Sequence, residues 1–180
     1  LAASDRIPEL RKIYLSAMRY ITYINLVALG MIVLAGDEFI RHWVGDAFVS
    51  KGYPILVLIT IALLLDSLTN IPSLVNDALG HPSISGRFAL LRGLIGVGLV
   101  YIGTQFGGIV GAAVAHLIGA FILSICFLVY VHGRTVPIRL VDAINEGAGR
   151  SLIVGLLVFC ALFPIKWYLP SGLYGTALMV

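Results

Sequence analysis

The sequence predicts an all-α integral membrane protein, a helical bundle with about six transmembrane helices, the last of them truncated. Three observations carry that expectation. Of the 180 residues, 59% are hydrophobic and only 12% are charged, whereas a soluble domain has about a quarter of its residues charged. Mean hydropathy is +1.01. The apolar residues also fall into runs that supply the roughly 20 residues a membrane-crossing helix needs. The runs do not alternate at every second residue, as strands of a membrane barrel must.

Taken in chain order, the runs place spans near 14–36, 53–79, 86–104, 108–132 and 150–169, with a sixth beginning near 172. Lys and Arg orient them. Arg6, Arg11, Lys12 and Arg19 open the chain, Arg87 and Arg92 follow the second span, and Arg134, Arg139 and Arg150 follow the fourth. Only Arg41, Lys51 and Lys166 fall on the other side. The positive-inside rule therefore puts the N-terminus, the 80–92 turn and the 133–150 linker in the cytoplasm. Net charge is +3, but the cations are spread between apolar runs rather than gathered in one patch. No nucleic-acid partner is expected.

The connections differ in character. "GDEFIRHWVGDAFVSKGYP" (36–54) reads as an outer loop with Trp43 and Tyr53 as interfacial aromatics. "GTQFGG" (103–108) reads as a tight outer hairpin in which glycine lets the backbone reverse. Pro137 marks a helix start, after which Ile138, Val141, Ile144 and Leu140 oppose Arg139, Asp142 and Glu146. That pattern suits a short helix on the cytoplasmic membrane surface. The chain thus divides into transmembrane helices over 1–135, a cytoplasmic interfacial linker over 136–150, and a further transmembrane hairpin, truncated, over 151–180. Leu1 in place of Met, and an end inside the apolar run "LYGTALMV", suggest part of a longer protein.

Polar residues concentrate in "LLDSLTNIPSLVNDALGHP" (64–82). At about 100° per residue, Asp66, Thr69, Asn70, Ser73, Asn76 and Asp77 share about a third of the helix circumference. A carboxylate near mid-membrane costs about 2.5–3.5 kcal/mol on insertion scales, so Asp66 needs water, a cation or a proton. Two accounts are open: a wet cavity wall holding a polar substrate, proton or sodium ion, or interhelical pairing of Asp66 with a basic residue. Pro72 removes a backbone donor and kinks this helix. Asp77, near the cytoplasmic end, is expected to be solvated. Arg92 lies several residues into the third span, where its planar fork suits a phosphate or a carboxylate. Arg19 shares a stripe with Ser16, Tyr20 and Tyr23, and either snorkels to headgroups or faces the cavity. His116, mid-span in the fourth helix, is either a packing residue or a cavity group. The candidate cavity set is Asp66, Asn70, Ser73, Arg92, Arg19 and His116. Gly108, Gly111, Ala115 and Gly119 form a small-residue ladder for close helix packing.

Cys126 and Cys160 sit in apolar runs without metal-ligand spacing, so neither a metal site nor a disulfide framework is expected. The sequence has no GxSxG, P-loop, HExxH or EF-hand motif, nor a nucleophile–base set at recognisable spacing. An enzyme and a cofactor are not expected.

Four segments in order, "ELRKIYLSAMRY", "FIRHWVGDAF", "NDALGHPSISGRFALLRG" and "YIGTQFGGIVGAAVAH", give the chain a likeness to a known family. Over residues 5–135 it resembles the C-terminal part of polysaccharide-transport flippases, the O-antigen and exopolysaccharide exporters. They belong to the multidrug/oligosaccharidyl-lipid/polysaccharide exporter superfamily. The resemblance implies two six-helix lobes around a central cavity that works by alternating access. A lipid-linked oligosaccharide on an undecaprenyl pyrophosphate carrier would cross the inner membrane for surface polysaccharide synthesis. It also implies that this chain supplies helices nine to twelve with a thirteenth and part of a fourteenth, and that Arg19 and Arg92 hold the anionic head group. Asp66 departs from a purely cationic cavity and raises ion coupling, as in a cation-coupled multidrug or metabolite antiporter of the same superfamily. A membrane-embedded glycan polymerase or acyltransferase would need a large outer loop, and the outer loops here are short.

Overall fold

The computed structural model describes residues 7–162 and residue 164. The expected sixth span near 172, and the end of the fifth, lie outside the described residues. Helices and turns make up the described chain: α1 (Ile7–Trp43), α2 (Asp46–Ser67), α3 (Asn70–Ala78), α4 (Pro82–Arg134) and α5 (Leu140–Asp142). A π-helical segment (Ala143–Gly149) and α6 (Arg150–Leu162) complete it. Among the described residues, four helical stretches are long and apolar enough to cross a membrane: Ile7–Trp43, Asp46–Ala78, Pro82–Arg134 and Leu140–Ala161. The chain is thus built as a multi-pass membrane bundle.

α1 runs past the expected end of its span at 36 and continues to Trp43, so the outer loop shrinks to Val44 and Gly45. The charged residues there are absorbed by the helix itself. Arg41 pairs with Glu38 one turn back and reaches Asp46 across the turn at 2.9 Å. Arg41 and His42 also fall in the last turn, where cations suit the helix dipole. Gly45, at φ 115°, makes the reversal that a side chain would oppose. α2 then descends along α1. Tyr53 Oη donates to the Val33 carbonyl at 2.7 Å, and Asn25 Nδ2 donates to Ser67 Oγ at 2.9 Å at the other end.

The helix breaks at Leu68–Thr69, between α2 and α3. Pro72 sits four residues after Leu68 and has no N–H to return to that carbonyl, which is why the break falls there. Thr69 takes over, its N–H and Oγ1 both donating to the Asp66 carbonyl at 3.0 and 2.7 Å.

α4 is 53 residues long, about 80 Å if straight, far beyond a single crossing. It is instead folded in two at Gly107 and Gly108, the latter at φ 57°. The arms press together. Gly103 and Gly111 face each other so closely that a Cβ on Gly111 would run into the Gly103 carbonyl oxygen. Gly119 lies against Leu99, Ser124 against Arg92 and Phe127 against Phe88, each pair about equidistant from the bend. The glycine hairpin and its small-residue ladder are therefore one device: the small residues let the arms meet from the tip down.

Residues 140–162 run without interruption from α5 through the π segment into α6. They run parallel to α1. Gly147 packs on Met18, Ser151 donates to the Arg19 carbonyl at 3.4 Å, and Gly155 packs on Leu26. Ile138 is buried, whereas Val141 and Ile144 are exposed. The buried contacts pass instead to Ala143, Gly147 and Ala148, whose small size suits the close approach to α1.

The packed core sits at the end richest in Lys and Arg. Tyr14, Leu15, Met18, Phe127, Val131, Val136, Ile138 and Ala143 form one buried cluster, covered by Leu68, Ile71, Val75, Ile84 and Phe88. Within it Tyr14 Oη donates to His132 Nε2 at 2.8 Å, while His132 Nδ1 donates to the Leu128 carbonyl. Farther along, Val97, Phe106 and Leu157 point outward and are exposed, as side chains facing hydrocarbon must be.

Candidate functional site

The site grows from the α2–α3 break. Ending α2 at Ser67 leaves Asp66 in its last turn, facing both arms of α4. Arg92, on the first arm, places Nη1 3.1 Å from Asp66 Oδ1. Ser124, on the second arm and 3% exposed, lies between them. Its Oγ accepts from Arg92 Nη2 at 3.1 Å and donates to Asp66 Oδ1 at 3.2 Å. Three helical segments are thus joined by one ion pair and its bridging hydroxyl. Of the two accounts open for Asp66, pairing with a basic residue is the geometry observed.

The pair does not close the space beside it. A groove of about 390 Å³ runs along α3 and the two arms of α4. Thr69, Asn70, Ser73, Ser85 and Arg92 supply its polar walls, and Phe88, Leu123 and Phe127 its apolar floor. Phe88 and Phe127 meet edge to face at 5.2 Å. Asp66 stands behind Arg92 rather than in the wall. An oxyanion entering the groove would meet the Arg92 fork and compete with Asp66 for it. The hydroxyls and the amide suit hydrogen bonds to a polyhydroxylated ligand.

The structure therefore brings Asp66, Asn70, Ser73 and Arg92 to one place. Arg19 and His116 lie elsewhere. Arg19 belongs to a second groove at the foot of α1, where Nη2 donates to the Glu146 carbonyl at 3.2 Å. His116 is half-buried on the second arm of α4, about 12 Å of helix rise from Ser124 toward the hairpin tip. It has no hydrogen-bond partner among the described residues. Among the described residues no cluster of three or more His, Cys, Asp and Glu could hold a metal ion.

Two residues escaped sequence reasoning. Ser124 is a lone hydroxyl within "LIGAFILSICFLVY", and its isolation in an apolar run was the available signal. Asn76 lies on the polar stripe, where helical period alone gives it no role; it is fully buried and pins the turn into α4. Its Nδ2 donates to the His81 carbonyl and Ser85 Oγ at 2.8 and 2.9 Å, and its Oδ1 accepts from Thr135 Oγ1 at 2.7 Å. The polar stripe thus splits into a groove wall and a structural pin. Comparison of the chain with protein-family models, with curated proteins and with solved structures finds no match.

Proposed function

We propose that the chain serves in a membrane flippase that moves a lipid-linked oligosaccharide, on an undecaprenyl pyrophosphate carrier, across the inner membrane for surface polysaccharide synthesis. The observation that carries this reading is the Asp66–Arg92–Ser124 network beside a polar groove at a break in a membrane helix. Intramembrane ionisable groups are costly and are kept where a polar cargo or ion passes. In this reading Arg92 meets pyrophosphate oxygens, while Asn70, Ser73 and Ser85 meet sugar hydroxyls. The groove forms part of the wall of a wet cavity between two lobes that rock in alternating access. No group in this chain is assigned a catalytic step.

A second reading, the cation-coupled drug or metabolite antiporter, draws on one observation. Asp66 Oδ1 carries both polar contacts, and among the described residues Oδ2 has no partner, which leaves an oxygen for a proton or sodium ion. Export of surface polysaccharide by Asp66→Ala and Arg92→Ala variants tests the proposal. Loss of export at normal protein levels is expected from both. Normal export from both would overturn it, and drug efflux lost in place of export would select the antiporter.

A further inference from the structure

The groove at the foot of α1 is not used by the transport reading. It measures about 630 Å³ and is lined by Arg11, Lys12, Ser16, Arg19 and Glu146, with Ile7, Pro8 and Leu15 forming an apolar side. Three cations thus face one carboxylate in its wall. Arg11 is already engaged, by Asp142 at 3.3 Å and Glu146 at 3.1 Å. Arg19 is not. One Nη donates to the Glu146 carbonyl, but Nε is buried without a hydrogen-bond partner. A buried guanidinium N–H left unpaired is costly and calls for an acceptor. Lys12 is exposed and makes no ion pair among the described residues.

The positions also have an order. On a helix Lys12, Ser16 and Arg19 share one side, and Arg19 stands about 12 Å of rise beyond Arg11 toward the membrane interior. A cation at the mouth and a planar fork deeper in, beside an apolar wall, match a ligand with a charged head and a greasy body. We infer that this groove binds the phosphate of an anionic lipid from the leaflet meeting the Arg- and Lys-rich end. The groove-facing edge of the Arg19 guanidinium meets the phosphate oxygens, and Lys12 closes over the head from the aqueous side. Ser16 supplies a further hydroxyl. The shared chemistry is a phosphate oxyanion, and the apolar wall selects the lipid-borne form over free phosphate. Because Arg19 and Ser151 are bonded through the Arg19 carbonyl, and Arg19 also holds Glu146, an occupied groove ties α1 to the π segment more firmly.

Native mass spectrometry of the purified protein, exchanged into detergent with equal phosphatidylglycerol and phosphatidylcholine, tests this. The unaltered protein is expected to retain phosphatidylglycerol in preference. Lys12→Gln and Arg19→Gln should each reduce that retention by about tenfold, the effect of one charge-assisted hydrogen bond. Arg87→Gln, at an exposed cation of the same end, should leave it unchanged. Lys12→Gln changes an exposed side chain, so it reads the site even if Arg19→Gln fails to fold. No preference for phosphatidylglycerol, no effect of Lys12→Gln, or an equal loss in Arg87→Gln would each overturn the inference. Inorganic phosphate bound with the same Lys12 and Arg19 dependence, without phosphatidylglycerol retention, would assign the groove to free phosphate and overturn the lipid.

Discussion

Arg92 Nη1 stands 3.1 Å from Asp66 Oδ1, and the two side chains are 31% and 26% exposed. The pair is thus largely withdrawn from water yet borders the groove. Breaking a buried pair by removing one partner costs about 3–5 kcal/mol, because the other charge is left unpaired. The groove moderates that cost here, to about 2–3 kcal/mol. Asp66→Asn and Arg92→Gln should each lower the thermal midpoint in detergent, and the double variant should recover most of the loss. Additive losses in the double variant would show that the two groups act independently. Function should not follow stability: the recovered double variant still lacks the cation that meets the cargo, and its export should stay low.

Asn76 offers a contrast, a polar group whose bonds all serve the fold. It is fully buried, and its amide joins α3 to the His81 carbonyl, Ser85 and Thr135. Asn76→Ala orphans those partners at about 1–3 kcal/mol. A lowered midpoint is expected, with export per folded molecule unchanged. Export lost at full stability would instead move Asn76 into the transport machinery.

The hairpin in α4 makes a sharper steric prediction. A Cβ on Gly111 would collide with the Gly103 carbonyl oxygen, and backbone cannot swing aside as a side chain can. Gly111→Ala should therefore force the arms apart and cost about 1–3 kcal/mol or more. Gly98→Ala, where nothing stands within 4 Å, serves as the matched comparison and should be neutral or slightly stabilising. Equal midpoints for the two variants would mean that the arms do not meet in the membrane as they do here.

These sites differ in how far the sequence alone discloses them, and the difference follows the range of the forces involved. The break before Pro72 and the bend at Gly107–Gly108 are properties of a few neighbouring residues, so local chemistry locates both. The stripe of Asp66, Asn70 and Ser73 is legible from helical period. The partnership of Asp66 with Arg92 and Ser124 is not, because it depends on how deeply two arms of α4 pack and in what register. Arg19 shows the same limit. Like Arg92 it is an arginine inside an apolar run, yet tertiary packing sends the two to different grooves. The continuation of α1 to Trp43 was hidden for another reason. Charged residues signal a loop until their partners, here Arg41 with Glu38 and Asp46, are known.

The groove itself can be probed by accessibility. Ser73 lines it, whereas Leu64 is 8% exposed against the neighbouring helices. Cys126 and Cys160 are exposed thiols and must first be replaced by Ala to clear the background. In that background Ser73→Cys should react with a small, membrane-impermeant maleimide several-fold faster than Leu64→Cys, since thiol reactivity requires both water and access. Asn70→Cys, on the same wall, should behave like Ser73→Cys. A groove that passes a polar cargo must be wet along this wall. Equal, slow labelling at all three positions would therefore mean a dry, packed seam, with the Asp66–Arg92 pair reduced to helix glue. Fast labelling at Ser73 and Asn70 that a polyhydroxylated, pyrophosphate-bearing substrate slows would make the groove a binding surface.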